Sequence, residues 1–538
     1  MPLLEPKPLP VPAEGCLDAP AAGRLLRRGA LAFRGWTAFP SGPARRVELW
    51  LGEEPLGRAR LGLPRPDVGR ARGWEPGAAT GFELTANLES WPGENGVTSL
   101  RAVATGPAGE RLELGPLALT IAPAAASSAL SPPAETTPRA GQHAGLRTLV
   151  ATHQLDLGGA QLYLMDLLRE LLRTGAIAPT VVSAKDGFLR EELEGLGVPV
   201  HISGMPSTES LGGHLGRVEE LAAWAAGRDF EVAFVNTATS LVLPGVEVAG
   251  RLGIPAVWAI HESYEPAELW DHVDPAVRRR AEAALAEVAQ PLFVATATEG
   301  LFEPATGRGR GLTIPYGLDL KALDGVRAGF DRDAARDAAA LPRDADVVLC
   351  VGSIEPRKSQ VPLAQAFDLI AARHPRARLV FVGGREDAYT EFLADCARSC
   401  DAAERIEIVP MTPDVQPWFG LADLVVCASD VESLPRTVLE AMAWERPVLA
   451  TSVFGLPELI EDGETGWLCE PRDLTALSAA LERALAAGPE ERRRIGGAGR
   501  ALVERRHSLE DYGRAVAALL NRVADGPRAV RLADAAAR

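Results

Sequence analysis

The chain has 538 residues, 47% of them hydrophobic, and a formal net charge of −16 at pH 7. Its length exceeds that of one ordinary hydrophobic core, so we expect two or three domains, and its acidic balance argues against general nucleic-acid binding, which leaves a basic footprint. No run reaches the roughly 18 apolar residues of a membrane-spanning helix, and the proline-rich N-terminus lacks the apolar core of a secretory signal, so we expect a cytoplasmic protein.

The first part of the chain predicts β structure. Residues 1–23 predict a disordered tail. From 24 to 122, short apolar runs are separated by glycine and proline, and residues 46–51 begin in the alternation of a half-buried strand. About 100 residues of short strands predict a β-sandwich accessory domain. Residues 123–145 are rich in Ala, Pro, Ser and Thr without periodicity, which predicts a linker.

From residue 146 onward, strand and helix patterns alternate, which predicts parallel sheets covered by helices. We expect an α/β architecture of two doubly wound, Rossmann-like domains at 146–318 and 319–507, facing a cleft. A C-terminal helix and tail at 508–538 would cross back over the first of them. Open sheets bind ligands outside the carboxyl ends of their strands. The predicted strands are 147–152, 179–183, 199–202, 231–235, 256–260, 292–296, 312–314, 347–351, 378–382, 406–409, 424–428 and 447–451.

Candidate residues follow three strands of the first α/β domain. The loop after the first strand contains Gly158 and Gly159, which permit a close approach of the backbone to a phosphate or sugar. Such a pair is also common in ordinary turns. His261 follows the predicted strand 256–260, where it would hydrogen-bond a sugar hydroxyl or act as a structural contact. Asn236 ends another strand and is expected to line the same cleft.

The segment after the first strand of the second α/β domain carries two cations. Gly352 lets the chain approach a ligand without a Cβ clash, and Arg357 and Lys358 stand at the mouth of the next helix. Fixed cations there would stabilise the negative charge that a leaving nucleoside diphosphate gains. The alternative is an exposed Pro-Arg-Lys loop. Gly383 and Gly384 end the following strand and are further candidates to line the cleft.

Acidic and cysteine pairs elsewhere do not form a convincing metal site. Asp344 and Asp346 precede a strand instead of following one at the cleft. Cys396 and Cys400 are one helical turn apart but lack the three or four ligands of a usual zinc site. We therefore expect no catalytic metal.

Two glutamates lie across a predicted strand–loop–helix junction. Glu432 is in the polar loop after the strand 424–428, and Glu440 is on the second turn of a helix expected to begin near Pro435. Free backbone N–H groups at 433–437 would face the same space and favour a phosphate. The alternative is a solvated Glu432 and a Glu440 that faces water, because glutamates at this spacing are common by chance.

With this junction in place, residues 146 to about 525 resemble the retaining glycosyltransferases of family 4, which have a GT-B fold. Glu432 through Glu440 matches the family's Glu-x7-Glu motif, and residues 446–451, 455–460 and 462–466 match its usual continuation. In the β region, residues 64–68 and 81–82 resemble accessory modules of some bacterial glycosyltransferases. The resemblance makes the first α/β domain the acceptor domain and the second the donor domain.

The resemblance implies transfer of a sugar from a nucleoside diphosphate sugar to a hydroxyl acceptor, with retained anomeric configuration and without a cofactor. Glu432 would contact donor sugar hydroxyls and Glu440 the nucleotide ribose. Lys358 matches the family's lysine, but Ser353 occupies the place of its usual arginine, for which Arg357 would compensate. We predict three catalytic residues, Glu432, Lys358 and His261. The predicted donor-binding residues are Gly158, Gly159, Gly352, Ser353, Arg357, Lys358, Ser433, Leu434, Pro435 and Glu440.

The partners implied are a nucleotide-sugar donor and a glycan or lipid-linked acceptor, in bacterial surface polysaccharide or glycoconjugate synthesis. Many relatives act on lipid-linked acceptors, so peripheral association with the inner membrane face is a further expectation. Two alternatives stay open at this point. One is a glycan-binding protein with an inactive GT-B domain, which Ser353 keeps in consideration. The other is a different GT-B enzyme, such as a nucleotide-sugar epimerase or a phosphorylase.

Overall fold

A computed structural model describes residues 13–19, 25–27, 30–40, 44–63, 80–87, 96–122, 145–205, 208 and 210–526. The chain divides into two compact units, residues 1–137 and 138–538. Most of the predicted linker, the accessory-module residues 64–68 and the end of the C-terminal tail lie outside the described residues. Within the described ranges, no helix combines the length and apolar character needed to cross a membrane.

The N-terminal unit is built from strands. They are β1 (Glu14–Ala19), β2 (Leu25–Arg27), β3 (Ala30–Ala38), β4 (Arg46–Leu51), β5 (Glu54–Arg58), β6 (Arg60–Leu63), β7 (Gly81–Asn87), β8 (Gly96–Thr105) and β9 (Arg111–Ala122). One sheet has the order β1-β3-β7-β6 and the other β2-β9-β8-β4-β5. All pairs are antiparallel except β2 with β9. The β structure expected in this part of the chain is therefore present, and its strands pair mainly antiparallel.

Side chains from both of these sheets share one hydrophobic cluster. Phe33 and Phe82 come from the first sheet, Val47 and Leu100 from the second, and all four are nearly inaccessible. A shared core is what two sheets packed face to face require. One expectation was wrong: part of the segment predicted as a disordered tail forms β1, because it pairs along β3 and buries Leu17.

The first α/β domain contains a seven-stranded sheet in which every pair is parallel. Its strands are β10 (Leu146–Thr152), β11 (Ile177–Ser183), β12 (Val200–Ile202), β13 (Val232–Asn236), β14 (Ala256–Ile260), β15 (Gln290–Phe293) and β16 (Leu312–Thr313). Its helices are α1 (Gly159–Arg173), α2 (Arg190–Gly195), α3 (Leu211–Ala225), α4 (Leu243–Leu252), α5 (Pro266–Leu269), α6 (Pro275–Glu287) and α7 (Thr296–Thr306).

The second α/β domain contains a six-stranded parallel sheet. Its strands are β17 (Asp346–Val351), β18 (Ala377–Gly384), β19 (Ile406–Pro410), β20 (Leu424–Cys427), β21 (Val448–Thr451) and β22 (Trp467–Cys469). The helices after the first domain are α8 (Leu320–Ala328), α9 (Arg332–Ala338), α10 (Gln360–Ala371), α11 (Ala388–Arg398), α12 (Gln416–Leu421), α13 (Arg436–Ala443), α14 (Leu456–Leu459), α15 (Leu474–Ala486), α16 (Pro489–Arg506) and α17 (Leu509–Ala524).

Both parallel sheets reverse their strand order at one point. The order is β12-β11-β10-β13-β14-β15-β16 in the first sheet and β19-β18-β17-β20-β21-β22 in the second, so the reversal falls between β10 and β13 and between β17 and β20. Loops that leave two such neighbouring strands diverge to opposite faces and open a crevice at their carboxyl ends. The two predicted Rossmann-like domains are therefore present, and each has its crevice next to a predicted site loop.

The last helix packs on the first α/β domain. Leu318 and Ser508 form a parallel bridge just before α17, and the Tyr512 ring lies 5.4 Å from the Tyr163 ring of α1, measured between centroids. The helix α17 spans most of the segment 508–523 in which a crossover helix was predicted. One strand boundary was wrong: the prediction placed 292–296 in a strand, but β15 ends at Phe293 and Thr296 already begins α7.

Candidate functional site

The centre of the candidate site is a cluster of two cations and one carboxylate. Lys358 Nζ and Ser429 Oγ both donate to Glu432 Oε1, the latter at 3.0 Å, and Arg357 Nη1 lies 3.4 Å from the same oxygen. Arg357 and Lys358 belong to the 3₁₀ turn Pro356–Lys358 after β17, and Glu432 belongs to the loop after β20. The two loops meet because β17 and β20 are neighbours at the reversal point.

Burial decides between the alternatives for this cluster. Glu432 is 9% exposed, Glu440 is 4% exposed and the Lys358 side chain is 15% exposed. The solvated glutamates and the freely exposed Pro-Arg-Lys loop are thus wrong for these three residues. Burial alone would raise the pKa of Glu432, but the charges of Lys358 and Arg357 outweigh it and hold that pKa below its ordinary value. The carboxylate is ionised at neutral pH.

The backbone beneath the cluster depends on glycine. Gly352 has a φ of 143°, in the region that favours glycine, and a Cβ there would lie 3.4 Å from Lys358 Cδ. Gly383 has a φ of 131°, and its Cβ would lie 2.1 Å from the carbonyl oxygen of Gly352. Ser353 does not face Glu432: its Oγ donates to Glu355 Oε1 at 3.0 Å. Arg357 reaches the cleft instead, where Nη1 also donates to Val431 O at 3.2 Å.

The first α/β domain holds the loop that contains Ser433, Leu434 and Pro435. Thr298 Oγ1 lies 2.6 Å from Ser433 Oγ, and the Tyr316 hydroxyl donates to the Leu434 carbonyl at 2.9 Å. Pro435 has extended backbone at the N-cap position, so α13 begins one residue later than expected. Two side chains of the first domain, Thr298 and Tyr316, therefore hold the predicted donor-binding loop in place. The sequence of the loop itself does not indicate these contacts.

Glu440 contacts an arginine, Arg436, that was not among the predicted site residues. Arg436 Nε donates to Glu440 Oε1 at 3.0 Å, and Gln416 Nε2 donates to the same oxygen at 3.3 Å. Arg436 also pairs with Asp166 on α1, across the cleft. Burial raises the pKa of Glu440 above its ordinary value, and Arg436 offsets this only in part. The i to i+4 spacing of Arg436 and Glu440 could have predicted their contact from the sequence. No sequence pattern indicated the contact with Asp166.

His261 lies in a polar network at the carboxyl ends of β10, β13 and β14. Its Nε2 lies 3.0 Å from Asn236 Oδ1, and its ring packs edge-on against Tyr163 with centroids 4.4 Å apart. His153, which was not predicted, has Nε2 at 2.7 Å from Gln161 Nε2. Burial lowers the pKa of His261 to about 3 and that of His153 to about 4, so both rings are neutral at pH 7.

The two predicted glycines at the start of α1 differ in their need for glycine. A Cβ on Gly158, the N-cap residue, would lie 2.4 Å from Gln161 Oε1, so a side chain there would displace that amide. A Cβ on Gly159 would meet nothing within 4 Å. Packing within the protein therefore favours glycine at position 158, whereas it does not require glycine at position 159. Among the described residues, no group of three or more His, Cys, Asp or Glu side chains is arranged to hold a metal ion.

Two facing Rossmann-like domains, with a buried charged cluster at the carboxyl ends of their strands, define the GT-B class. A family model described as glycosyl transferases group 1 matches residues 331–502, and one described as glycosyl transferase 4-like domain matches residues 158–317. The chain belongs to this glycosyltransferase family. The predicted resemblance and fold class are confirmed.

Named relatives agree with this family. The D-inositol 3-phosphate glycosyltransferase of Streptosporangium roseum is 32% identical over 251 residues, which cover 43% of this chain and only 56% of that protein. That of Streptomyces avermitilis is 30% identical over 351 residues, covering 61% of this chain and 75% of the relative. Among solved structures, Anabaena HepE in complex with UDP-glucose has a TM-score of 0.60 at 20% identity, covering 70% of this chain and 100% of that one.

Proposed function

We propose that this glycosyltransferase moves a sugar from a nucleoside diphosphate sugar to a hydroxyl acceptor, with retention of configuration and without a catalytic metal. The observation that carries the proposal is the buried cluster of Glu432 with Lys358 and Arg357 between the two domains. A bacterial polysaccharide or glycoconjugate is the class of product we expect, with a glycan or lipid-linked acceptor. The β region at the N-terminus is open to a role in acceptor recognition.

The charges suit the cleavage of a bond between a sugar and a diphosphate. Such cleavage develops positive, oxocarbenium-like charge on the sugar and negative charge on the leaving group. Lys358 and Arg357 supply cations for the leaving diphosphate, and the backbone N–H groups at the start of α13 supply hydrogen-bond donors. The hydrogen bonds described for Glu432 all fall on Oε1, and we assign Oε2 to accept from a sugar hydroxyl.

No side chain is assigned as a nucleophile in this proposal. Glu432 is held as an anion by two cations, which suits binding of hydroxyls better than covalent attack. The leaving phosphate would instead accept the proton of the acceptor hydroxyl on the same face of the sugar. His261 is neutral at pH 7. Together with its neighbour Asn236, it supplies hydrogen-bonding groups for a sugar hydroxyl in this proposal.

The relatives guide the choice of donor for the first assay. Their names describe glycosyl transfer to D-inositol 3-phosphate, and the HepE structure contains UDP-glucose. We therefore propose a UDP-sugar as the first donor to examine, with GDP- and ADP-sugars beside it. A donor that binds the folded state must raise the unfolding temperature.

The test combines binding with product analysis. UDP-glucose, GDP-mannose and ADP-glucose are compared for thermal stabilisation of the full chain, and the donor that stabilises is incubated with and without candidate acceptors. Release of nucleoside diphosphate with an α-linked product from an α-linked donor supports the proposal. An epimerised sugar would indicate a nucleotide-sugar epimerase instead of a transferase. Cleavage that requires inorganic phosphate would indicate a phosphorylase. Stabilisation by a free glycan but by no nucleotide sugar would favour a glycan-binding protein.

A further inference from the structure

Arg436 connects a carboxylate of the first α/β domain with a carboxylate of the second. It lies in the first turn of α13 and pairs with Asp166 of α1 through Nη1, while its Nε donates to Glu440 at 3.0 Å. The planar guanidinium presents donors in fixed directions and can serve both acids at once. The three side chains form a bridge from α1 to α13, which we call the Asp166–Arg436–Glu440 bridge.

The bridge is largely withdrawn from water. The side chains are 12% exposed for Asp166, 18% for Arg436 and 5% for Glu440. The two acids share the Arg436 guanidinium, and each also has a further partner. Arg169 Nη1 donates to the other oxygen of Asp166 at 2.7 Å, and Gln416 assists at Glu440. Each carboxylate therefore has a second, neighbouring partner on its own domain.

A cavity of about 250 Å³ borders one end of the bridge. Asp166 and Arg436 line it together with Leu318 and Asp319, which connect the two domains. Since this volume is large enough to admit several water molecules, the Arg436 head can be solvated if Asp166 is neutralised. Removing the charge of Asp166 should therefore loosen the bridge without leaving an isolated charge in a sealed core.

We propose that Asp166 is a positioning residue for the donor nucleotide: through Arg436 it holds the Glu440 carboxylate in the place where that carboxylate meets the ribose. The proposal rests on the proposed function, since it assumes a nucleotide-sugar donor at Glu440. Asp166 itself touches no substrate. Its effect is that the donor site of the second domain is complete only when α1 of the first domain lies against α13.

The direction of the effect follows from the shared cation. With Asp166 in place, Arg436 divides its donors between two carboxylates. Without the Asp166 charge, Arg436 is released from α1 and follows Glu440 alone, which draws that carboxylate towards Arg436 and away from a ligand. Nucleotide binding should weaken. The hydrogen bonds described above for Lys358 and Glu432 do not involve Asp166 or Arg436, so kcat should change little.

The experiment compares Asp166→Asn with the full-length wild type. Titration calorimetry with UDP, GDP and ADP identifies the nucleotide that the wild type binds, and donor hydrolysis gives kcat and KM for the corresponding sugar nucleotide. We expect the Kd of that nucleotide and the donor KM to rise at least fivefold, with kcat at saturating donor changed less than twofold. Asp166→Glu should restore more than half of the lost affinity. Asp511→Asn makes the same substitution at an exposed aspartate of α17 that pairs with Arg514, so it is the matched control and should bind as the wild type does.

The outcomes distinguish failure of the proposed function from failure of the proposed role of Asp166. If the wild type binds none of the three nucleotides, the proposed function fails and the role of Asp166 with it. If the wild type binds one and Asp166→Asn binds it equally well, only the role of Asp166 is overturned. A loss of kcat in Asp166→Asn as large as its rise in donor KM would show a general structural effect and also overturn it. Should Asp166→Asn not fold, Arg436→Lys keeps the charge but not the two-sided contact, and must show the same rise in KM.

Discussion

Lys358 and Glu432 form a buried ion pair between loops that follow adjacent strands of one sheet, although 74 residues separate them in the chain. Both side chains are largely withdrawn from water, and Ser429 and Arg357 also contact the Glu432 carboxylate. A ligand that brings a diphosphate to Lys358 and hydroxyl groups to Glu432 can replace both halves of the pair. The pair is thus suited to exchange its internal contact for contacts with a sugar nucleotide.

Replacement of Lys358 by alanine should lower turnover at least about tenfold, which corresponds to some 1.4 kcal/mol of transition-state stabilisation. The reason is loss of the cation that would face the leaving diphosphate. Initial rates at saturating donor measure the effect. Lys321→Ala is the control, because Lys321 is exposed and pairs with Glu510 away from the cleft. A folded Lys358→Ala variant with wild-type turnover would remove Lys358 from the proposed site.

Replacement of Glu440 by glutamine should lower kcat/KM for the donor by at least about tenfold, since a neutral amide binds ribose hydroxyls less strongly than a carboxylate. Arg436 retains Asp166 as a partner in this variant, so the fold should survive. Glu445→Gln is the matched control, because Glu445 follows the same helix and its side chain is 51% exposed. Similar donor kinetics for the two variants would contradict the assignment of Glu440.

The two buried histidines should make the protein less stable as the pH falls. Their folded pKa values, about 4 for His153 and about 3 for His261, lie below the ordinary value of 6.5. Between the folded pKa values and pH 6.5, the unfolded chain binds more protons at these histidines than the folded chain does. The free energy of unfolding is therefore highest with respect to these groups above pH 6.5 and falls towards pH 4. Each histidine should account for a loss of up to about 2 kcal/mol between pH 8 and pH 5.

Chemical denaturation at several pH values checks this expectation. The free energy of unfolding of a His261→Gln variant should fall less steeply between pH 7 and pH 5 than that of the wild type. His272→Gln, at an exposed histidine, is the control for loss of a histidine side chain outside the buried network. Parallel curves for His261→Gln and the wild type would mean that His261 is not held neutral by burial.

Replacement of Gly455 by alanine should reduce activity through the donor loop. A Cβ at this position would lie 1.9 Å from the Ser433 carbonyl oxygen and 2.8 Å from Ala295 Cβ of the first domain, so the loop or the domains must shift. We expect at least a fivefold loss of kcat/KM for the donor, measured beside the unfolding temperature. Gly497→Ala is the control, because a Cβ there meets nothing within 4 Å. Wild-type kinetics for Gly455→Ala would show that the loop tolerates displacement.

Sequence patterns could predict the site residues that follow the strands of a single sheet. Buried apolar runs mark β17 and β20, and the loops after them were predicted to carry the site residues Lys358 and Glu432. Burial of the pair followed from neither run. The first domain contacts the neighbouring residues Ser433 and Leu434 through Thr298 and Tyr316, and no local periodicity encodes these contacts.

The contacts between the two α/β domains were beyond sequence reasoning for the same reason. Thr298 and Ser433 are separated by 135 residues, and Asp166 and Arg436 by 270. Each lies on an ordinary helix or loop, and only the placement of one domain against the other brings them together. The short strand β22 was also missed, because three residues carry too little pattern to distinguish a strand from a turn.

The packing of α17 on α1 has a consequence for how the chain acquires its structure during synthesis. Tyr512, Val516 and Leu520 are buried, and α17 lies against a domain whose strands begin more than 350 residues earlier at Leu146. Since the ribosome adds residues in order, the apolar surface that α17 covers stays uncovered until nearly the whole chain has emerged. Early termination before residue 509 would leave that surface open to aggregation, even with both parallel sheets fully translated.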